Sequence, residues 1–239
     1  MTTVDRDVLV VGAGVAGLTA GLFTARADLD TELVNSGSSI LNRNAHLENY
    51  PGFPRGINPR LLLEMMEEQA RNAGCSFTRR AVLDVEDADP FRVNLQGVRR
   101  TARRIILASW SDCSYVQDLE SYQEGSKTFL ATDEEGETSR PGIYAAGRIT
   151  GVRHQTVVAA GDGADVGLSV VEDLRPEYYR DWVAPEGYFS GRGRELPEGC
   201  EEISEEERKR RARRAREELL RFMEEPPDEG PTQHPSVEN

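Results

Sequence analysis

The chain is nearly without lysine. Lys127 and Lys209 are the only two, so 29 basic residues less two leaves 27 arginines, set against 42 acidic residues for a net charge of −13. That balance excludes general nucleic-acid binding, which needs a positive footprint on the surface. It suits a salt-rich cytoplasm, where carboxylate repulsion is screened within about 3 Å at 1 M salt, so a halophilic, cytoplasmic protein is expected. Cysteine is scarce too. Cys75, Cys113 and Cys200 are far apart and no Cys-x-x-Cys occurs, which excludes a zinc knuckle and a paired redox dithiol. Scattered, odd-numbered thiols fit a reducing compartment. His46, His154 and His234 show no metal-ligand spacing, so no metal site is read. No apolar run is long enough to span a membrane, and the N-terminal Met-Thr-Thr-Val-Asp-Arg-Asp is polar, unlike a signal peptide. No membrane partner is expected.

What is present begins at Asp7. An apolar run, Val8–Val11, leads into Gly12-Ala13-Gly14-Val15-Ala16-Gly17, followed by a small-residue helix and a second apolar run ending at Val34. This order of strand, glycine turn, helix and strand is the context in which Gly-x-Gly-x-x-Gly signals a dinucleotide fold. Gly12 permits the tight turn, Gly14 admits a pyrophosphate to the backbone, and Gly17 lets helix and strand close together. The helix N-terminus then offers free N–H groups to the anion. The alternative is a turn of the same shape that holds no ligand.

Residues 58–73 read as a helix capped by Asn58, with Pro59 in its first turn, Gly74 after its end and an apolar stripe of Leu62, Met65, Met66 and Ala70. Short β-rich runs follow at 81–85, 91–95 and 104–108, as a small meander, then at 128–132 and 142–146. Residues 155–174 predict a helix whose Gly161, Gly163 and Gly167 weaken it unless close packing compensates. Residues 176–203, rich in Pro, Gly, Tyr and Trp, read as an extended strap. Ser204 to Glu225 predicts a charged helix with a Ser204–Glu207 capping box. Between Glu201 and Glu225, nine glutamates face eight arginines and lysines, so its basic run reads as self-paired. Residues 226–239 read as disordered. The division expected is 1–175, a C-terminal extension at 176–225, and the tail.

Three further segments carry a family resemblance. Glu48-Asn49-Tyr50-Pro51-Gly52-Phe53, Thr138-Ser139-Arg140-Pro141-Gly142-Ile143-Tyr144-Ala145-Ala146-Gly147 and His154-Gln155-Thr156 stand in order after the glycine motif. Together they resemble the flavin domain of thioredoxin reductase and its low-molecular-weight relatives over residues 5–175. The resemblance implies an α/β, Rossmann-like FAD/NAD(P)-binding three-layer fold with a small β-meander, here followed by the charged helix. It implies FAD as cofactor, with the pyrophosphate on Gly12 to Gly17 and the adenosine ribose on Asn35. Val82 would line the adenine through its backbone, Asn49 would lie near the ring, and Gly147, Arg148, Gln155 and Thr156 would stand at the flavin end.

The chain also departs from that family. Ala108 reaches Phe129 in about twenty residues, too few for the NADPH-binding domain found there in the family, and the redox Cys-x-x-Cys of that domain is missing. Arg148 replaces an acid that accepts a hydrogen bond from the ribityl chain, whereas arginine only donates. Trp110 replaces a glycine, and Asn35 replaces the ribose-binding acid. Three readings stay open: an FAD-dependent oxidoreductase transferring electrons at flavin N5, drawing on diffusible NAD(P)H or a redox partner protein; a non-catalytic Rossmann-fold binding or regulatory module without flavin; and direct NAD(P) binding in the same cradle. None is a complete thioredoxin reductase, no residue is assigned as catalytic, and a homodimer like that of related reductases is a candidate assembly.

Overall fold

The computed structural model describes residues 4–110, 113–224 and 226–233. The chain divides into two compact units, residues 1–170 with 229–239, and residues 171–228. His234 lies outside the described residues.

The first unit is built on a seven-stranded sheet. β1 (Arg6–Val11) is followed by α1 (Val15–Arg26) and β2 (Thr31–Val34), the predicted unit around the glycine turn. α2 (Pro59–Asn72) is capped by the Asn58 side chain, which accepts from the Arg60 N–H, with Pro59 in its first turn. Leu61, Leu62 and Ala70 are its buried apolar residues, while Met65 and Met66 are half-buried. β3 (Ser76–Thr78), β4 (Val82–Glu86), β5 (Phe91–Leu95) and β6 (Val98–Leu107) follow, then the hairpin of β7 (Ser121–Glu124) and β8 (Lys127–Leu130), then β9 (Ile143–Ala145) and α3 (Thr156–Leu174).

β1 pairs in parallel with β2 on one side and β6 on the other, and β2 pairs in parallel with β3. β6 serves two pairings along its length. Residues 98–102 pair antiparallel with β5 in the meander, and Ile105–Leu107 pair in parallel with β9. The expected strand at 104–108 is therefore the second half of a longer one, whose first half is masked in sequence by Arg99, Arg100 and Arg103. Val8, Leu9, Val10, Ile105, Ile106 and Leu107 are fully buried, each worth roughly 1.5–3 kcal/mol relative to exposure. The run is apolar at every position because parallel strands are covered on both faces.

One buried carboxylate sits in this sheet. Glu32 accepts from Arg6 Nε at 3.0 Å, Arg100 Nε at 3.1 Å and the Thr78 hydroxyl at 2.6 Å. Two guanidiniums and a hydroxyl satisfy a charge that would otherwise be costly to bury. α3 lies close on α1, as its glycines require. A Cβ on Gly163 would overlap the Ala16 carbonyl, and one on Gly167 would meet Ala20. Gly161 faces open space and takes no part in that packing.

The second unit departs from the expected strap. β10 (Trp182–Pro185) and β11 (Cys200–Ile203) pair in parallel, joined through a short 3-10 turn at Ser190–Arg192. Aromatic packing and a carboxylate that gathers backbone N–H groups order this segment. α4 (Glu205–Glu224) follows, with the Ser204 hydroxyl accepting from Glu207 N–H at 3.2 Å. Its basic residues pair locally: Lys209 with Glu205 at 2.7 Å, and Arg211 with Glu207 at 2.8 Å and with Glu201. Thr232 in the tail donates its N–H to the Asn42 carbonyl at 3.1 Å.

Candidate functional site

The glycine turn joins β1 to α1 at the carboxyl end of the sheet, where open α/β folds place ligands. Its three glycines do different things. Gly12 has φ +111°, and a Cβ there would stand 2.5 Å from the Ala108 carbonyl oxygen. Gly17 would drive a Cβ into the Gly12 carbonyl. Both are required by the fold itself. Gly14 is not: its φ is −84°, and an added Cβ would meet only the Ser39 hydroxyl, at an ordinary 3.6 Å. The space beside Gly14 belongs to the cavity. Gly14 is also the N-cap of α1 and supplies no side-chain cap, so the first N–H groups of the helix are left for an anion.

A cavity of about 200 Å³ opens over this turn. Gly12, Ala13, Gly14, Val15 and Ala16 form its floor, Asn35 one edge, and Arg148, Gln155 and Thr156 the far end. The structure thus brings nine of the thirteen sequence-predicted residues to one cavity. Gly17 lies beneath the turn, and Gly147 stands beside Arg148, where an added Cβ would fall 2.7 Å from that of Ala16. Asn49 reaches the far end indirectly, donating to Gln155 Oε1 at 2.7 Å. Val82 is on β4 and packs partly against the core cluster.

Details of these residues could not be read from sequence. The Asn35 amide closes its own turn, donating to the Gly37 carbonyl at 2.7 Å and accepting from Gly37 N–H at 3.3 Å. Arg148 donates Nη1 to the Val152 carbonyl at 3.1 Å, and its guanidinium lies 4.8 Å from the Phe129 ring centroid and 5.9 Å from that of Trp110. Its buried Nε has no hydrogen-bond partner among the described residues. Trp110 stacks at a tilt on His154, with centroids 5.1 Å apart. Burial, then the Arg148 and Lys127 charges, hold the His154 pKa down and disfavour its protonated form.

Four contributions were missed. Ser38, Ser39, Ile40, Leu41 and Asn44 line the cavity from a loop with no periodic pattern. Arg60 fixes that loop, donating Nη1 to the Asn42 and Asn44 carbonyls at 3.1 Å each. Ala159 lines the cavity from the second turn of α3. Asp162 accepts from Gly147 N–H at 2.5 Å and holds the turn before Arg148, with its pKa pushed up by burial. The one sequence signal for Asp162 is an acid placed between two glycines of α3.

The cradle fits the pyrophosphate of a dinucleotide. Gly14 leaves a space that a Cβ would fill, an uncapped helix end points into it, and the unpaired Arg148 Nε offers a donor near the far end. At that end the cavity is lined by Trp110, His154 and Arg148.

The thiols stand apart from this chemistry. Cys75 is buried, donates to the Gly21 carbonyl at 3.1 Å, and has its pKa pushed up to about 12 by burial. Cys113 packs partly buried against the core cluster, and Cys200 lies in the second unit. Among the described residues no group of three or more His, Cys, Asp or Glu is arranged to hold a metal, and no helix is long and apolar enough to cross a membrane.

A family model described as FAD binding domain matches residues 7–42, the segment that builds the cradle floor and part of its loop. The bifunctional thioredoxin reductase/thioredoxin of Mycobacterium leprae is 39% identical over 117 residues, covering 47% of this chain and 25% of that protein. The thioredoxin reductase of Listeria monocytogenes is 36% identical over 109 residues, covering 44% of this chain and 34% of that protein. The matched stretch thus spans a quarter to a third of these relatives' length. Among solved structures, a thioredoxin reductase from Gloeobacter violaceus superposes with a TM-score of 0.63 at 21% identity, covering 73% of this chain and 97% of that one. The atypical thioredoxin reductase of Desulfovibrio vulgaris Hildenborough gives 0.61 at 20%, covering 72% and 99%. These structures share the Rossmann-like fold.

Proposed function

We propose that this thioredoxin reductase-like chain binds FAD in the Gly12–Gly17 cradle and acts as a flavin oxidoreductase. The observation that carries the reading is the contrast among the three glycines: Gly12 and Gly17 serve the fold, and Gly14 is dispensable to it yet borders the cavity. The N-terminus of α1 would hold the pyrophosphate. The Asn35 backbone and amide would stand at the adenosine ribose, with Val82 toward the adenine. Arg148 would donate its free Nε to the phosphate or ribityl oxygens. The N-terminus of α3, opened by Gln155 and Thr156, would face the ring and favour negative charge there, with Asn49 orienting Gln155 through its 2.7 Å bond.

Bound FAD would supply hydride or electron transfer at N5. The chain's own part is to bind, orient and shield. Trp110 and His154 would cover the ring end. With only about twenty residues between β6 and β8, and no dithiol, reducing equivalents would come from diffusible NAD(P)H or from a redox partner protein. We place the protein in a salt-rich cytoplasm, without nucleic-acid or membrane partners, and as a candidate homodimer.

One observation favours the second reading, a Rossmann module without flavin. The cavity of about 200 Å³ is below the roughly 300–1,000 Å³ usual for ligand sites, and Trp110 and His154 stack across its end. Binding would require that pair to part. FAD reconstitution in molar salt, followed by gel filtration, separates the two: yellow protein supports the first reading and colourless protein the second.

A further inference from the structure

The second unit holds a concavity that flavin binding does not use. Its wall is a trio of rings in mutual edge-to-face contact: Trp182 to Tyr188 at 4.6 Å and 80°, Trp182 to Phe189 at 5.6 Å and 77°, and Tyr188 to Phe189 at 5.0 Å and 73°. Three guanidiniums surround it. Arg192 lies 4.0 Å from the Tyr188 centroid, Arg180 lies 4.4 Å from that of Tyr179, and Arg194 completes the rim. Tyr179 is 55% exposed and Tyr188 40%, large values for rings in so small a unit.

Glu202 on β11 accepts from Gly187 N–H at 3.1 Å, Ser190 N–H at 3.0 Å, the Ser190 hydroxyl at 2.7 Å, and Phe189 N–H. One carboxylate thus fixes the turn that presents Tyr188 and Phe189. The charge pattern also sets the site apart. In a chain of net charge −13, Arg180, Arg192 and Arg194 make no ion pair with a carboxylate among the described residues, whereas Arg175 and Arg211 in the same unit do. Asp181 is the one acidic residue in the lining. The concavity measures about 460 Å³, inside the roughly 300–1,000 Å³ of small-molecule sites and larger than an inorganic anion needs.

The Tyr188 and Tyr179 rings already stack the Arg192 and Arg180 guanidiniums; a planar base can take their place there, and the displaced guanidiniums pair with phosphate in a planar fork. We propose that this concavity is a nucleotide-binding site, stacking the base on Tyr188 and Tyr179 and holding the phosphates with Arg180, Arg192 and Arg194. The shared chemistry of a mononucleotide and a nicotinamide dinucleotide is a base carrying phosphate, and both serve as probes.

The test uses the full chain carrying Trp110→Phe, which leaves Trp182 as its one tryptophan. ATP, NADP+, adenosine and tripolyphosphate are titrated in the lowest salt at which circular dichroism shows folded protein. Saturable quenching of Trp182 by ATP or NADP+ is expected, the tighter of the two identifying the source. Adenosine and tripolyphosphate should each bind at least tenfold more weakly. Arg194→Ala, which removes a side chain that makes no hydrogen bond or ion pair among the described residues, should weaken nucleotide binding at least tenfold without altering the circular dichroism. Absence of quenching by either nucleotide would overturn the proposal. So would tripolyphosphate binding as tightly as ATP, unchanged affinity in Arg194→Ala, or quenching by a poly-glutamate peptide but by neither nucleotide.

Discussion

Gly14 and Gly12 stand two positions apart and answer to different constraints. Gly12 adopts a left-handed φ of +111° against the Ala108 carbonyl, so Gly12→Ala should destabilise the fold by more than about 1 kcal/mol. Gly14→Val should leave the melting temperature almost unchanged while removing dinucleotide binding, because its side chain would enter the cavity alone. Thermal melts of the two variants, with and without FAD, check this. Equal destabilisation by both would mean that Gly14 serves the fold as well. Arg148 has a predicted sign. If its Nε donates to the cofactor, Arg148→Asp places like charges together and should weaken FAD binding at least tenfold, roughly 1.4 kcal/mol. Tighter binding in that variant would favour the reading in which Arg148 has closed the pocket. Sequence made the glycine positions legible because their motif is local. It could not show that the Asn35 amide closes on Gly37, or that Arg148 donates to the Val152 carbonyl, because both depend on where short loops turn.

At the scale of elements, the run of strands around the glycine motif was legible from unbroken apolar residues, and the Asn58 and Ser204 caps from their side chains. β3 and β7 escaped notice, as did the pairing of β10 with β11. These strands are only three or four residues long, too short for alternation to show, and the turn between β10 and β11 is tied back to β11 by the Glu202 carboxylate. That residue also gives a pH signature. Its pKa falls from an ordinary 4.5 to about 2, first through the Ser190 hydroxyl and then through the Phe189 N–H. A lowered carboxylate pKa means that its contribution to stability is fully present above pH 4.5 and is lost as pH falls toward 2. Trp182 lies in the same cluster, so its fluorescence should report loosening of the turn across that window. Glu202→Gln should abolish the pH dependence in this range. A transition of unchanged size and position in Glu202→Gln would assign it to another group.

At the scale of the molecule, an excess of thirteen negative charges should make stability depend on salt. The melting temperature is expected to rise clearly from low salt to molar KCl as repulsion is screened, and a flat profile would contradict the halophilic reading. Thiol chemistry of the reductase type is not expected of this chain. Cys75 is buried with its pKa raised to about 12, and neither Cys113 nor Cys200 forms a Cys-x-x-Cys. NADPH-dependent turnover of a disulfide substrate should therefore be absent, and turnover lost on replacing a single cysteine would reveal an undervalued thiol. The central claim is that the cradle holds FAD, and it is tested most directly by titrating FAD into wild-type and Gly14→Val protein in molar salt and measuring the flavin retained after desalting. One flavin per wild-type chain and none on the folded variant is the predicted result. No flavin retained by wild type, or equal retention by both, would contradict it.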